Sequence, residues 1–151
     1  MGNNNFGANT DDFAFSDEII AGAMQKMKSA LGDSDDKLKA FAANVLIGNT
    51  PAKKINENVG DEFKLCGFHY KDVKFKDKND GTKERIGKYT VMFGYCNGQP
   101  CAYATSSDKV YEAVTKILYI YGDPSNWNAG INVRIRMNNT DNVTSYSLEI
   151  I

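Results

Sequence analysis

Hydrophobic residues in the stretch TSSDKVYEAVTKILYIYGDP, residues 105–124, recur with the period of an α-helix. Val110, Val114 and Ile117 are spaced so that one face of the helix is apolar and the other is polar. Two serines precede the pattern and supply candidate N-caps, and Gly122, followed closely by a proline, supplies a stop. The stretch therefore predicts a helix that packs its apolar face against a core made by other parts of the chain.

The first fifty residues contain two more helical patterns, separated by a short turn. The first pattern begins at Ser16, a candidate N-cap, and ends at Gly32, and the second ends at Gly48. Because two helices joined by so short a turn lie antiparallel, we expect an N-terminal α-helical hairpin over residues 16–50. Residues 1–15 are rich in asparagine and glycine and include two aspartates, which predicts a flexible acidic arm.

From residue 58 onward the helical period gives way to strand-like alternation of apolar and polar side chains. Turn residues divide this part of the chain into five predicted strands, at residues 62–75, 88–95, 101–105, 131–137 and 143–151. A helix between the third and fourth strands is the layout of the OB-fold, a small, partly open barrel. We therefore expect a mainly β fold, with a five-stranded OB-fold-like barrel over residues 58–151, preceded by the N-terminal helical hairpin.

Composition is that of an ordinary globular protein. Hydrophobic residues make up 42% and charged residues 25% of the 151 residues, and no apolar run approaches the length of a membrane span. The N-terminus lacks the basic and apolar regions of a signal peptide, which predicts a cytoplasmic location and no membrane partner. Three cysteines cannot all pair within the chain and are too few for a disulfide scaffold, so we expect reduced thiols.

The charges are distributed unevenly along the chain. Residues 1–36 contain seven acidic and two basic residues, a net charge of −5. Residues 64–88 contain eight basic and four acidic residues, a net charge of +4. Such asymmetry indicates a polyanionic partner for the basic part, while the alternative is a solvated, lysine-rich hairpin.

A groove for single-stranded nucleic acid needs aromatic rings on which bases stack and cations that follow the phosphate backbone. Both kinds of residue are interleaved along the first three predicted strands, and two arginines add a basic edge on the fourth. The candidate nucleic-acid-binding residues are Tyr70, Lys71, Lys74, Phe75, Lys76, Arg85, Lys88, Tyr89, Tyr103, Arg134 and Arg136. The alternative interpretation is structural, because a small barrel fills its interior with aromatic side chains and solvates its exterior with lysines.

A strand, a turn, a short aromatic strand and a serine-capped helix follow one another in the stretch YTVMFGYCNGQPCAYATSSDKVYEAVTKI. Two further strands then close the chain, which ends in VTSYSLEII. On these residues, from about residue 68 to the end, the chain resembles the single-stranded-DNA-binding proteins of tailed bacteriophages, including protein-primed phages. The resemblance implies that Tyr70 and Tyr103 stack on bases, with Phe75 as a looser match. Two departures are a longer hairpin at residues 96–101 and an N-terminal helical segment without a counterpart.

The resemblance implies a protein that coats single-stranded DNA without strong sequence preference during phage replication or recombination, in the cytoplasm of the host cell. Expected partners are single-stranded DNA, a second copy of the chain, and replication proteins that dock on the acidic N-terminal segment. We expect no cofactor and no enzyme activity, because the sequence has no glycine-rich phosphate loop and its single histidine has no obvious nucleophile and carboxylate partner.

The sequence contains four residues that could be considered as zinc ligands. Cys66, His69, Cys96 and Cys101 have side chains of the right type for a four-ligand site. The spacing between Cys96 and Cys101 is loose, and Cys66 and His69 differ in strand parity unless a bulge separates them. We therefore expect no metal site.

Two other functions remain open from the sequence. The first is a structural or assembly component of a virion, in which the barrel and the helical hairpin make protein contacts. The second is an OB module within a larger replication complex. Fold alone does not separate these from a DNA-coating protein, since one fold supports many functions.

Overall fold

Six β-strands form one sheet, and three α-helices pack against its two faces, so the fold is mainly β. The computed structural model describes residues 10–76 and 81–151. The helices are α1 (Thr10–Leu31), α2 (Asp35–Ile47) and α3 (Asp108–Tyr121). The strands are β1 (Lys53–Lys54), β2 (Glu62–Lys76), β3 (Glu84–Cys96), β4 (Gln99–Thr105), β5 (Ile131–Thr140) and β6 (Val143–Ile150). No helix in this described part of the chain is long and apolar enough to cross a lipid bilayer.

The strands follow the order β1-β4-β3-β2-β5-β6 across the sheet, and each adjacent pair except β1 and β4 is antiparallel. The sheet turns at β2, because residues 64–76 of this strand pair with β3 and residues 62–65 pair with β5. The register shifts between Leu65 and Gly67, and a β-bulge of this kind bends a strand and increases its twist. The sheet therefore curls into a half-barrel.

α3 packs on the inner side of the half-barrel, with the buried face that the sequence predicts. Val110, Val114 and Ile117 are buried on this face. Ser107 caps the helix, since its Oγ accepts a hydrogen bond from the Val110 amide and donates one to the Tyr146 carbonyl of β6, each at 3.4 Å. The core around this helix includes Phe63, Phe68, Met92, Tyr103 and Ile135 from four strands of the sheet.

α1 and α2 cover the other face of β2, β3 and β4, which we call the outer face. The buried residues of this second core are Ala23, Met24, Met27, Leu38, Ala42, Val45, Cys66, Val91, Phe93, Ala102 and Ala104. Gly67 allows the helix to approach closely, because a Cβ atom at this position would lie 2.5 Å from the Cβ of Ala23. These strands are therefore buried on both faces where the two helices cross them.

The first helix begins earlier than the sequence analysis expects. α1 starts at Thr10 rather than at Ser16, so residues 10–15, which we expected in the acidic arm, are helical. The remainder of the expected arm, residues 1–9, lies outside the described part of the chain.

The sheet contains one strand more than the five that the sequence predicts. The added strand is β1 in the connector after Pro51, and its two residues pair in parallel with Tyr103 and Ala104 of β4. Unpaired strand edges leave backbone amides and carbonyls without protein partners. The extended connector therefore supplies hydrogen bonds along part of the edge of β4.

Candidate nucleic-acid interface

Two of the predicted base-stacking residues belong to the core. Tyr103 is only 1% exposed, its ring stacks on Phe63 at 4.4 Å between centroids, and its hydroxyl donates to Asp61. Tyr70 is 8% exposed and contacts the ring of Tyr111 edge to face at 5.2 Å. Both rings are packed in the core in this structure, and neither presents an open face on which a base could stack.

The two predicted arginines of β5 form ion pairs with carboxylates. Arg134 forms ion pairs with Glu62 at 2.7 Å and with Glu149 at 3.1 Å, and Arg136 also lies 3.1 Å from Glu149. The hydrogen bond to Glu62 and the charge of that carboxylate raise the pKa of Arg134. The structure does not bring these arginines together with the β2–β3 hairpin residues, and their charges are largely compensated.

Four other predicted residues come together on the outer face of the hairpin formed by β2 and β3. The register places Lys71 opposite Tyr89 and Phe75 opposite Arg85, and cross-strand partners share a face. Val73 lies between them on β2, and we call these five residues the hairpin face. They extend the outer face beyond the part that α1 and α2 cover.

Each aromatic ring of the hairpin face is paired with a cation. The ammonium of Lys71 lies 5.9 Å from the ring centroid of Tyr89, and the guanidinium carbon of Arg85 lies 4.9 Å from that of Phe75. Both distances are within the range of cation–π attraction. Tyr89 is 36% exposed, so its ring is open to solvent while it contacts the lysine.

A glycine on β3 allows the ring of Phe75 to cross onto the neighbouring strand. A Cβ atom at Gly87 would lie 2.7 Å from Cε2 of Phe75, so the ring occupies the space that a side chain would need. Arg85 contacts the ring and also lies 3.8 Å from Asp108 at the start of α3. The ring and the guanidinium therefore form a layered pair at the distal end of the hairpin face.

The remaining predicted lysines lie on the inward side of the same hairpin. Lys88 pairs with Asp72, and its ammonium lies 5.3 Å from the ring of Tyr70. Strand alternation puts Lys74 and Lys76 on this side too, both exposed. The predicted cations are thus divided between the two faces of one hairpin, and those of the hairpin face accompany the exposed ring of Tyr89 and the half-buried ring of Phe75.

A cleft of about 600 Å³ opens between the end of α2 and the outer face of the hairpin. Its lining residues are Val45, Leu46, Gly48, Thr50, Pro51, Ala52, His69, Lys71, Val73, Tyr89 and Val91. We call it the α2 cleft. Sequence reasoning missed it, because no local pattern shows that the end of α2 faces β2 and β3. The alternation of His69, Lys71 and Val73 was the one local signal that these side chains share a face.

The four residues considered for zinc do not form a common site. Cys66 packs in the core under α1 and α2, whereas Cys101 packs in the core around α3. Burial raises the pKa of both thiols to about 12, so they are neutral near physiological pH. Within residues 10–76 and 81–151, no group of three or more histidine, cysteine, aspartate or glutamate side chains is placed to hold a metal ion.

In the part of the chain that the structure describes, the hairpin face and the α2 cleft bring together the exposed ring of Tyr89, the half-buried ring of Phe75, two cations and a concave surface. No protein-family model, curated protein or solved structure matches the chain.

Proposed function

We propose that the protein binds single-stranded DNA without strong sequence preference, through the hairpin face of β2 and β3. The observation that carries this proposal is the pairing of Lys71 with Tyr89 and of Arg85 with Phe75 on one open surface. Bases stack on aromatic rings whatever their identity, and cations next to those rings neutralise the phosphates. Such an arrangement suits a protein that coats DNA during phage replication or recombination.

The arrangement of the elements supports an OB-type barrel for this role. β2 to β6 correspond to its five strands, β2 pairs with both β3 and β5, and α3 lies between β4 and β5 in the chain. In this reading β1 is an addition from the connector. OB-folds bind oligonucleotides on the face of their second and third strands, which are β3 and β4 here, and on loops that include the one between the first two strands, at the tip of the β2–β3 hairpin.

The helical hairpin narrows the available surface. α1 and α2 bury the outward side chains of β4, of the first part of β2 and of the second part of β3, including Phe93 and Ala102. These buried positions are apolar, so they form packing contacts rather than a phosphate track. The proposed binding surface is therefore confined to the distal half of the β2–β3 hairpin, and it contacts a short length of strand.

The charge of the hairpin supports binding to a polyanion. Besides Lys71 and Arg85, the exposed lysines Lys74, Lys76 and Lys83 lie on the same hairpin. Phosphate neutralisation by such residues releases counterions, so the affinity falls steeply as the salt concentration rises. This dependence gives the proposal its direct test.

The test is a titration of fluorescently labelled oligothymidylate with the protein, followed by anisotropy at about 50 mM and about 200 mM salt. We expect saturable binding at low salt and at least a tenfold loss of affinity at high salt. A duplex of the same length is the control and should bind more weakly, because its bases are not free to stack on Tyr89 and Phe75. Absence of binding at low salt, or the same affinity at both concentrations, would overturn the proposal.

A second candidate function is protein contact within an assembly, such as a virion. It is favoured by an exposed apolar end of α3, where Tyr119 is 87% exposed and is followed by the exposed residues Ile120 and Tyr121. Exposed apolar patches often mark protein interaction sites. Sedimentation over a range of protein concentrations tests it, because self-association that Tyr119→Ser and Ile120→Ser abolish together would support an assembly role.

A further inference from the structure

We propose that the α2 cleft receives one unstacked base of the bound strand, with the adjoining phosphate held at Lys71. This inference rests on the proposed function and names what the cleft binds. Lys71 and Tyr89 belong both to the cleft and to the hairpin face, so the two surfaces are continuous. A strand that stacks on the hairpin face therefore passes the mouth of the cleft.

The cleft has the size and the lining of a site for a small, flat ligand. Its volume of about 600 Å³ lies within the range of roughly 300 to 1,000 Å³ that is usual for such sites. Apolar side chains form its walls, among them Val45, Leu46 and Pro51 from the helical side and Val73 from the sheet. A nucleobase gains by leaving water for walls of this kind, provided that its polar edge keeps partners.

Polar groups are gathered on the strand side of the cleft, where the edge of a base and its phosphate would meet them. His69 and Lys71 project from β2, and Tyr89 lies opposite Lys71 on β3. The lysine ammonium is a mobile point charge that suits a phosphate oxygen, and the Tyr89 ring suits the face of a base. The arrangement orients a nucleotide with its base towards α2 and its phosphate towards the hairpin.

The end of α2 explains why the base must leave the stack. α2 stops at Gly48, which adopts a left-handed conformation with φ of 101°, and the chain then passes Thr50 and Pro51 along the rim of the cleft. This turn forms part of the wall of the cleft on the helical side. A stacked run of bases does not continue past such a wall, whereas a single flipped base fits against it.

Leu46 offers a way to fill the cleft without touching the strands. Leu46 lines the cleft and is 42% exposed, whereas the next residue, Ile47, is 72% exposed and does not line it. We expect Leu46→Trp to weaken oligothymidylate binding about tenfold or more, the effect of losing one base contact. Ile47→Trp is the matched control, and we expect it to bind within about twofold of the wild-type protein.

His69 gives a direct readout of occupancy, since it is the single histidine of the chain and lies in the cleft. Saturation of the wild-type protein with oligothymidylate should shift the NMR signals of its ring protons. The same addition should leave those signals in place in Leu46→Trp. Thermal unfolding of each variant separates a filled cleft from a misfolded protein, and the wild-type spectrum remains decisive if the variant does not fold.

The outcomes separate the two proposals. If the wild-type protein binds DNA but Leu46→Trp binds equally well and the His69 signals do not move, the base pocket is wrong while the hairpin face stands. If the wild-type protein binds no DNA under any condition, the proposed function is wrong and this inference fails with it. The pocket is supported if Leu46→Trp binds DNA more weakly while Ile47→Trp does not, and if the His69 signals of the wild-type protein shift on DNA binding.

Discussion

The hydroxyl of Tyr103 donates a 2.9 Å hydrogen bond to the carboxylate of Asp61, which joins β4 to the residue that precedes β2. Burial and this hydrogen bond both raise the pKa of Tyr103, so the phenol keeps its proton over the physiological range. The ring is thereby fixed in the core by packing and by a polar contact. This hydrogen bond and the packing of the ring explain why Tyr103 stabilises the core, although its position in the sequence matches a base-stacking residue of the resembled family.

Tyr103→Phe should lower the free energy of unfolding by about 1 to 2 kcal/mol, since it removes a hydrogen bond to a charged group and leaves Asp61 partly buried. Urea denaturation measures this loss. The affinity for single-stranded DNA should not change. Tyr119→Phe, at an exposed position of α3, is the control and should leave the stability unaltered. Weaker DNA binding by Tyr103→Phe at unchanged stability would contradict the assignment of this ring to the core.

Phe75→Ala and Tyr89→Ala should each weaken DNA binding by roughly 1 to 3 kcal/mol, the range for the loss of one base stack. Anisotropy titration with labelled oligothymidylate measures the change. Tyr119→Ala is the matched aromatic control, because it removes a ring that is 87% exposed on α3, away from the hairpin. If all three variants bind alike, the hairpin face is not the DNA-binding surface.

Gly67→Ala should destabilise the protein by about 1 to 3 kcal/mol, the usual cost of an overpacked core. The added methyl group would meet the Cβ of Ala23 at 2.5 Å, so α1 would have to move away from β2. Gly81→Ala is the control, since no atom lies within 4 Å of the position where its Cβ would be placed. Thermal unfolding compares the two, and equal melting temperatures would contradict the close contact between α1 and β2.

Alkaline pH should destabilise the fold through its buried thiols. Burial raises the pKa of Cys66 and of Cys101 from the ordinary 9.0 to about 12, so the unfolded chain loses these protons first. Because the folded protein keeps both thiols protonated, their contribution to the free energy of unfolding is fully present below pH 9.0 and is lost as the pH rises from 9.0 towards 12. The Tm should therefore fall over this interval. Cys66→Ala should reduce the steepness of the fall, and an unchanged slope would show that this thiol does not contribute.

Local patterns predicted the elements whose signals lie within a few residues. The capping serine, the first-turn aspartate and the apolar spacing of Val110, Val114 and Ile117 all belong to one helix, so α3 was predicted with its buried face. The long first strand at residues 62–75 and the alternation in β3 and β5 could be predicted for the same reason. In each case the pattern of apolar and polar residues within the element itself shows which of its faces is buried.

Tertiary packing decided what local patterns did not. The bulge between Leu65 and Gly67 sets which side chains of β2 point inward, and it turns Tyr70 into the core and Lys71 outward. The α2 cleft is lined by residues that are distant in the chain, such as Leu46 and Tyr89. Aromatic and basic residues could be counted from the sequence, but their division between the two faces of the hairpin could not.

The two ladders that β2 forms with its neighbours differ in length. β2 pairs with β5 only over residues 62–65, whereas it pairs with β3 over residues 64–76. The hydrogen bond from Ser107 to the Tyr146 carbonyl adds a side-chain link on the far side of β6. We expect the amides of β5 that face β2 to exchange with deuterium before those of β3, as mass spectrometry can follow, because a short ladder costs less free energy to open. The segment that opens first is then the β5–β6 pair, and the hairpin proposed to hold DNA stays closed while it does so.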